Sequence, residues 1–149
     1  MRRERAMALF EEGYNCAQSV FLAFSDLHGM DTHMAAALSS SFGGGMGRLR
    51  EVCGAVSGMF LVAGILYGYD DPGAREEKAA HYARIQELAK AFEEKNGSIV
   101  CRELGLSVKR EKPTPKERTA EYYKKRPCKE LVGDAAEILE KYIAEHPVG

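Results

Sequence analysis

The chain has 149 residues, a length typical of one domain, and 45% of them are hydrophobic, which suffices for a buried core. A domain of this size buries roughly 70% of the surface that its unfolded chain exposes, so stability requires neither disulfides nor a structural metal. A net charge of -1 excludes the strong field that gathers nucleic acid or anionic lipid. The longest apolar stretch, residues 55–67, is shorter than the roughly 20 residues of a membrane-spanning helix. We therefore expect a soluble protein without a membrane span or a nucleic acid partner.

The N-terminal segment contains Arg2 and Arg3, a pair that also occurs in twin-arginine export signals. Such a signal requires an apolar region of about 7 to 15 residues behind the arginines. Here the apolar run ends at Glu11, so we predict a short amphipathic helix and a cytoplasmic location. In that reducing compartment, separated cysteines are typical of catalytic, redox-sensing or metal-binding roles rather than permanent disulfides.

Helical periodicity covers most of the chain, and no segment alternates apolar and polar residues over the length of a strand. The sequence predicts one all-α domain, residues 1–149, built as a bundle of about six to eight helices. In the first half the predicted helices span about residues 3–12, 15–28, 32–42 and 51–66, with Asn15 and Thr32 as N-caps. In the second half they span about residues 74–95, 98–104, 115–125 and 127 onwards.

The fourth predicted helix is apolar around much of its circumference and carries Gly54, Gly58 and Gly64, which is typical of a tightly packed central helix. The fifth and the last helices show apolar stripes that we expect to face the core: Ala80, Ala83, Leu88, Ala91 and Phe92, and then Leu131, Ala135, Ile138, Leu139 and Tyr142. Tyr82, Tyr122 and Tyr123 are predicted at the edge of the core. Residues 105–114 are predicted as a loop, and the charged stretch 109–118 as solvated.

All four cysteines lie in or beside the first turn of a predicted helix: Cys16, Cys53, Cys101 and Cys128. The unpaired N–H groups and the dipole at a helix N-terminus favour a thiolate, and such cysteines can have pKa values of roughly 3.5 to 7.5 instead of about 8.5. Basic residues close in sequence are expected to help: Arg48, Arg50, Arg102, Arg126 and Lys129. The four thiols are therefore the candidate catalytic groups or metal ligands.

A glycine-rich segment precedes Cys53 and contains Gly43, Gly44, Gly45 and Gly47. Cys53 then begins a CGAxxG motif formed by Cys53, Gly54, Ala55 and Gly58. It lacks the GxxxxGK[ST] pattern of a phosphate loop, and no predicted strand precedes it, so nucleotide binding is disfavoured. Glycines instead let backbone amides approach an anionic centre such as a sulfur cluster, and we predict these six glycines as cofactor-binding. Gly54 and Gly58 are expected to let another helix lie against Cys53.

The CGAxxG motif, the preceding GGGMG stretch and the three further single cysteines resemble the C_GCAxxG_C_C family of redox-active proteins. The resemblance spans residues 13–131, nearly the whole chain. It implies a redox role for the four cysteines. A redox partner protein is then expected, and a homo-oligomer is also compatible with the sequence.

Three hypotheses remain open on the residues alone. The four cysteines could bind an iron–sulfur cluster or another thiolate-bound metal, although no CxxC supplies two ligands from one turn. They could instead form reversible disulfides, which requires Cα atoms within about 7 Å. In the third hypothesis, the protein is a helical binding module and the cysteines are packing residues. The residues do not decide whether the protein is an enzyme.

Overall fold

The structure, a computed structural model, describes residues 1–104, 113–114, 118 and 127–148. Its helices are α1 Arg2–Glu11, α2 Cys16–Leu22, α3 Ser25–His28, α4 Thr32–Ser39, α5 Gly43–Met46, α6 Gly54–Tyr67, α7 Arg75–Asn96 and α8 Cys128–Glu145. Two short 3-10 turns, Ser40–Phe42 and Cys101–Glu103, complete the element order. Most of the predicted helix over residues 115–125 and most of the predicted loop over 105–114 lie outside the described residues. Tyr122 and Tyr123 lie outside them as well.

The all-α bundle is confirmed, and glycine-rich α6 lies at its centre as predicted. Helix α6 packs against α2 on one side and α8 on another. A Cβ added to Gly58 would lie 2.6 Å from the Ala17 carbonyl oxygen, so the glycine allows the backbones of α6 and α2 to touch. Apolar residues that share this core include Val20, Phe21, Val56, Met59, Val62, Val132, Ala135 and Leu139.

The paired arginines at the N-terminus hold α1 in the bundle. Arg2 Nη2 donates to Asp26 Oδ2 at 2.9 Å. Arg3 Nη1 lies 2.6 Å from a carboxylate oxygen of Asp134, whose side chain is only 9% exposed. Because a buried carboxylate requires a partner, the pair with Asp134 gives Arg3 a structural role. The pair between Arg2 and the half-exposed Asp26 joins the start of α1 to α3.

Helix α7 lies at the periphery, and its predicted core stripe is only partly correct. Leu88 and Phe92 are buried, but Ala80 and Ala83 are exposed because the N-terminal half of α7 extends beyond the core. Tyr82, predicted at the core edge, is 52% exposed for the same reason. In the last helix, Leu131, Ala135 and Leu139 are buried as predicted, with Ile138 and Tyr142 half-buried.

Four predicted helices differ from the structure. In the helix predicted over residues 32–42, the α-helix ends at Ser39, and its N-cap is Asp31 and not the predicted Thr32. Residues 15–28 form α2 and α3, separated at Phe24, whose φ of -112° and ψ of 20° leave the helical region. Residues 51–53 and 99–101 were both predicted as helical and instead pair through an antiparallel bridge between Val52 and Val100. Consequently α6 begins later than predicted, and only Cys101–Glu103 coils into a 3-10 turn. Ser98 was predicted as a helix cap, and its hydroxyl does accept from the Val100 N–H at 2.9 Å. No helix begins there, however, because the following element is a 3-10 turn whose N-cap is Val100.

Within the described residues, no helix has the length and apolar character required to cross a membrane.

Candidate functional site

One cavity of about 350 Å³ is lined by all four cysteines. Cys16, Cys53 and Cys101 are buried, and Cys128 is half-buried. The four positions are widely separated in the sequence, so only the tertiary fold brings them together. This convergence defines the candidate site.

Helix starts position the cysteines, as the sequence predicted. Cys16 is the first residue of α2, Cys53 is the N-cap of α6, and Cys128 is the first residue of α8. Cys101 also begins its element, but that element is a 3-10 turn and not the predicted helix. Three α-helices thus point their N-termini, with their partial positive charge, towards one cavity.

The bridge between residues 51–53 and 99–101 fixes two of the cysteines relative to each other. The Cys53 N–H donates to the Ile99 carbonyl at 2.8 Å, and the Cys101 N–H donates to the Glu51 carbonyl at 2.6 Å. In an antiparallel pair, this register places Cys53 and Cys101 diagonally on the same face, where such neighbours are about 7–8 Å apart. The bridge therefore holds Cys53 and Cys101 on the same side of the paired segments.

The glycine segment is a left-handed turn against the cysteines. Gly44 and Gly45 have φ values of 66° and 69°, a region that costs other residues roughly 1–2 kcal/mol. The Gly44 N–H lies at the Cys16 sulfur and favours its thiolate form. A Cβ on Gly45 would lie 2.7 Å from the Cys101 Cβ, and a Cβ on Gly54 would overlap the Cys16 sulfur. Glycine is therefore required here by both conformation and close contact.

The six glycines predicted as cofactor-binding have different positions. Those that line the cavity are Gly43, Gly44, Gly47 and Gly54. Gly45 is in close contact with the Cys101 Cβ, and Gly58 packs against α2. Neither of these two glycines lines the cavity. A cofactor-binding role for the six remains a prediction.

Arginines supply the charge of the cavity wall. Arg48, Arg50 and Arg118 line the cavity, and its described lining contains no carboxylate. Arg50 Nη1 donates to the Cys101 Sγ at 3.6 Å, in a buried position. Arg118 lies over the Phe10 ring at 4.0 Å and donates to the Tyr14 carbonyl at 2.7 Å.

Other basic residues that were expected to help the cysteines face elsewhere. Arg102 Nη1 lies 3.2 Å from the Glu51 carboxylate, and Lys129 pairs with Glu11. Arg126 lies outside the described residues. Arg118 was predicted in a solvated stretch but is half-buried, because its guanidinium donates to the carbonyls of Phe10 in α1 and of Tyr14 just beyond it.

The expectation of lowered cysteine pKa values is wrong for two of the four thiols. Burial raises the pKa of Cys16, and the Gly44 amide only partly opposes that effect. Burial also raises the pKa of Cys53 well above its ordinary value of 9.0, with a further contribution from Cys16, while the amides of Val56 and Ala55 act in the opposite direction. Desolvation of the charged form therefore exceeds the effect of the helix N-terminus at both residues. Both thiols therefore keep their protons at neutral pH.

As the side chains lie, the part of the chain that the structure describes contains no group of three or more His, Cys, Asp or Glu residues that could hold a metal ion. A tetrahedral zinc ion bound at 2.3 Å requires sulfurs about 3.8 Å apart. The four cysteines surround a cavity and do not converge on one point.

A model of the family "Putative redox-active protein (C_GCAxxG_C_C)" matches residues 14–142. The chain belongs to this family. The matched residues include all four cysteines and the whole glycine segment, and the family description agrees with a redox role for them. No curated protein and no solved structure matches the chain.

The roles of three contributors to the site were predicted incompletely or not at all. Asn15 was identified as a helix cap, but its amide also donates to the Ser40 carbonyl at 3.0 Å and packs against Gly43. Arg50 was assigned to the neighbourhood of Cys53 and instead reaches Cys101. The cavity position of Arg118 could not be predicted, because nothing in the sequence distinguishes it from the other charged residues around it.

Proposed function

We propose that this redox-active protein binds an iron–sulfur cluster through Cys16, Cys53, Cys101 and Cys128. The observation that supports it is the convergence of all four cysteines on one cavity of about 350 Å³. Four cysteine thiolates are the usual ligands of two-iron and four-iron clusters. When bound, such a cluster accepts and donates single electrons, and a redox partner protein in the cytoplasm would exchange them.

The donor set and the space fit a cluster better than a single ion. In a four-iron cluster each cysteine binds a different iron, so the sulfurs are spread around the centre. The described cysteines line the wall of a cavity in this manner, whereas no three of them are grouped for one ion. Gly54 and Gly44 have no Cβ, which allows the Cys16 sulfur and the Arg48 side chain, both part of the cavity lining, to pack directly against the backbone.

The charges around the cavity favour an anionic centre. Four thiolates give an iron–sulfur site a net negative charge, which requires compensation in a buried position. Arg48, Arg50 and Arg118 supply positive charge, and the N-termini of α2, α6 and α8 add their partial charges. The absence of carboxylates from the described lining removes like-charge repulsion.

The raised pKa values of Cys16 and Cys53 are compatible with this proposal. Burial penalises an isolated thiolate, so the metal-free thiols keep their protons. Metal binding replaces those protons, because the ligand must be deprotonated and its charge is shared with the metal. We therefore expect cluster assembly to release protons and to become more favourable with rising pH.

Anaerobic purification of the full chain, followed by iron, sulfide and zinc analysis and visible absorption, tests the proposal. We expect a brown protein with stoichiometric iron and sulfide, and single Cys16→Ser, Cys53→Ser and Cys101→Ser variants that lose most of both. Leu131→Met is the matched control, since it changes the shape of the same wall but removes no sulfur. A folded protein that stays colourless and iron-free after reconstitution would contradict the proposal, and zinc without sulfide would indicate a single-ion site.

A thiol–disulfide protein is the second candidate. The Cys16 sulfur packs against Gly54, next to Cys53, and each of these two thiols has its pKa raised in part by another cysteine. Oxidation of such a pair would form one S–S bond and transfer two electrons and two protons to an oxidant such as a disulfide compound. Thiol counts with and without reductant, and mass-spectrometric mapping of the linkage, identify this case. If the serine variants change neither metal content nor thiol chemistry, the cysteines are packing residues.

A further inference from the structure

Arg50 places a guanidinium group directly on one of the four sulfurs. Its Nη1 donates to the Cys101 Sγ at 3.6 Å, and the whole residue is only 4% exposed. The same residue lines the cavity that all four cysteines share. Arg50 therefore places a buried positive charge beside the Cys101 sulfur, with Nη1 as the hydrogen-bond donor.

The backbone of Arg50 is held in an unfavourable conformation to allow this contact. Its φ is 61°, in the left-handed region, which is unfavourable for a residue with a side chain. The Arg50 N–H donates to the Gly44 carbonyl at 3.2 Å. Its own carbonyl accepts from the backbone N–H and the Nη1 of Arg102, at 3.3 and 3.2 Å. Several hydrogen bonds therefore fix a strained residue beside the sulfur, as is common at functional sites.

Gly45 completes the support for Arg50. A Cβ on Gly45 would lie 2.8 Å from the Arg50 Cα and 2.7 Å from the Cys101 Cβ. The glycine turn is thus in close contact with both members of the pair. The distance between the guanidinium group and the sulfur consequently depends on backbone packing and not on a flexible surface side chain.

We propose that Arg50 is a positioning residue that raises the reduction potential of the iron–sulfur centre through its hydrogen bond to the Cys101 sulfur. This inference rests on the proposed function. Reduction adds one electron to the centre and makes its ligand sulfurs more negative. A buried cation that donates a hydrogen bond to one of those sulfurs stabilises the reduced form more than the oxidised form, and hydrogen bonds to sulfur are a known determinant of cluster potential.

The test compares reconstituted full-length wild type with Arg50→Gln, Arg50→Lys and Arg75→Gln. Arg75 begins α7 and is exposed, so its variant makes the same change in net charge away from the cavity. Iron and sulfide content and circular dichroism are measured first, and an optical redox titration then gives each midpoint potential. We expect full iron content in wild type and Arg75→Gln, some loss of iron in Arg50→Gln, and in the Arg50→Gln protein that retains iron a midpoint lower by about 59 mV, a tenfold change for one electron. Arg50→Lys keeps the positive charge but not the planar guanidinium group. Its midpoint potential is expected between those of wild type and Arg50→Gln.

The outcomes test the role of Arg50 separately from the presence of the cluster. A lowered midpoint in Arg50→Gln with an unchanged Arg75→Gln supports the role of Arg50. Full iron content with equal midpoints in wild type, Arg50→Gln and Arg50→Lys overturns that role and leaves the cluster intact. If Arg50→Gln fails to retain iron, the Arg50→Lys midpoint decides: a lower potential supports the inference, and a wild-type potential overturns it. An iron-free wild type overturns the proposed function and this inference together.

Discussion

Helices α6 and α8 run side by side from the cysteine cavity to a cluster of aromatic rings, and their two ends are built differently. At their N-termini, Cys53 and Cys128 line the cavity. At their C-termini, the Tyr67 and Tyr142 rings meet edge to face with 5.6 Å between centroids. The two helices are therefore parallel, with their positive dipole ends at the cysteines and their negative ends at the tyrosines.

The aromatic end is held by side chains near solvent. The Arg84 guanidinium lies 4.7 Å from the centre of the Tyr67 ring, and its Nε donates to the Tyr142 hydroxyl at 3.0 Å. His146 stacks on Tyr142 with 4.0 Å between centroids. The cysteine end instead depends on backbone contacts at Gly54, where the space for a side chain is filled. We infer that the cysteine end tolerates little change, whereas the aromatic end can be altered at low cost.

The largest effect is expected from Gly54→Ala. The added Cβ would overlap the Cys16 sulfur and lie 2.8 Å from the Phe42 carbonyl oxygen. Overpacking of this kind costs about 1–3 kcal/mol, and here it also displaces a cysteine of the site. Urea unfolding and iron content after reconstitution measure the two effects. A variant with wild-type stability and full iron content would show that the cysteine end is as adaptable as the aromatic end.

A second test uses pH, because the two ends titrate in different ranges. Burial raises the pKa of Cys53 above its ordinary value of 9.0 and the pKa of Tyr67 above 10.0. An unfolded thiol ionises near 9.0 while the folded one keeps its proton, so the contribution to stability is intact below that pH and decreases as pH rises towards the folded pKa. The metal-free, reduced protein should lose at most about 1.4 kcal/mol per pH unit for each such thiol.

Urea unfolding of metal-free wild type and Cys53→Ser between pH 8 and pH 10 measures this loss, with reductant present throughout. We expect a shallower decline in the serine variant, because serine does not ionise in this range. The Tyr67→Phe variant should differ from wild type only at the upper limit of the series. Parallel curves for wild type and Cys53→Ser would show that the folded thiol is not protected by burial.

Local sequence signals predicted most of the helices. Asn15 and Gly97 mark a helix start and a helix end that the structure confirms, since the Asn15 side chain accepts from the Gln18 N–H at 2.9 Å and Gly97 has a φ of 91°. Residues 51–53 and 99–101 were predicted incorrectly because their pairing joins segments about fifty residues apart. A non-local bridge leaves no periodicity in either short segment, so helix propensity gave the wrong answer there.

The candidate site was predictable in its residues but not in its electrostatics. The caps before Cys16 and Cys128 indicated helix starts, and the structure places both cysteines there. The direction of the Cys16 and Cys53 pKa shifts could not be predicted, because it depends on burial, which outweighs the helix dipole. The contact between Arg50 and Cys101 likewise depends on the bridge and the glycine turn.

At the aromatic end, Tyr142→Phe should have a smaller effect than Gly54→Ala. The substitution removes the hydroxyl that accepts from Arg84 Nε and keeps the ring contacts with Tyr67 and His146. A hydrogen bond of this type contributes about 0.5–1.5 kcal/mol, and water can replace it at a half-exposed position. We expect a small decrease in the urea midpoint and unchanged iron content. Loss of iron in this variant would mean that the two ends of α8 are coupled.

The smallest effect, and one of opposite sign, is expected from Gly64→Ala on the same helix as Gly54. Gly64 is exposed, and a Cβ there would have no neighbour within 4 Å. In a helix interior, alanine is more favourable than glycine by roughly 0.5–1 kcal/mol, so the variant should unfold at a slightly higher urea concentration and bind iron as wild type does. Gly54→Ala and Gly64→Ala make the same chemical change at two positions of α6. The difference between their effects on stability and iron content therefore measures the contribution of the close contact at Gly54. Equal effects at both positions would attribute the behaviour of Gly54 to helix propensity alone.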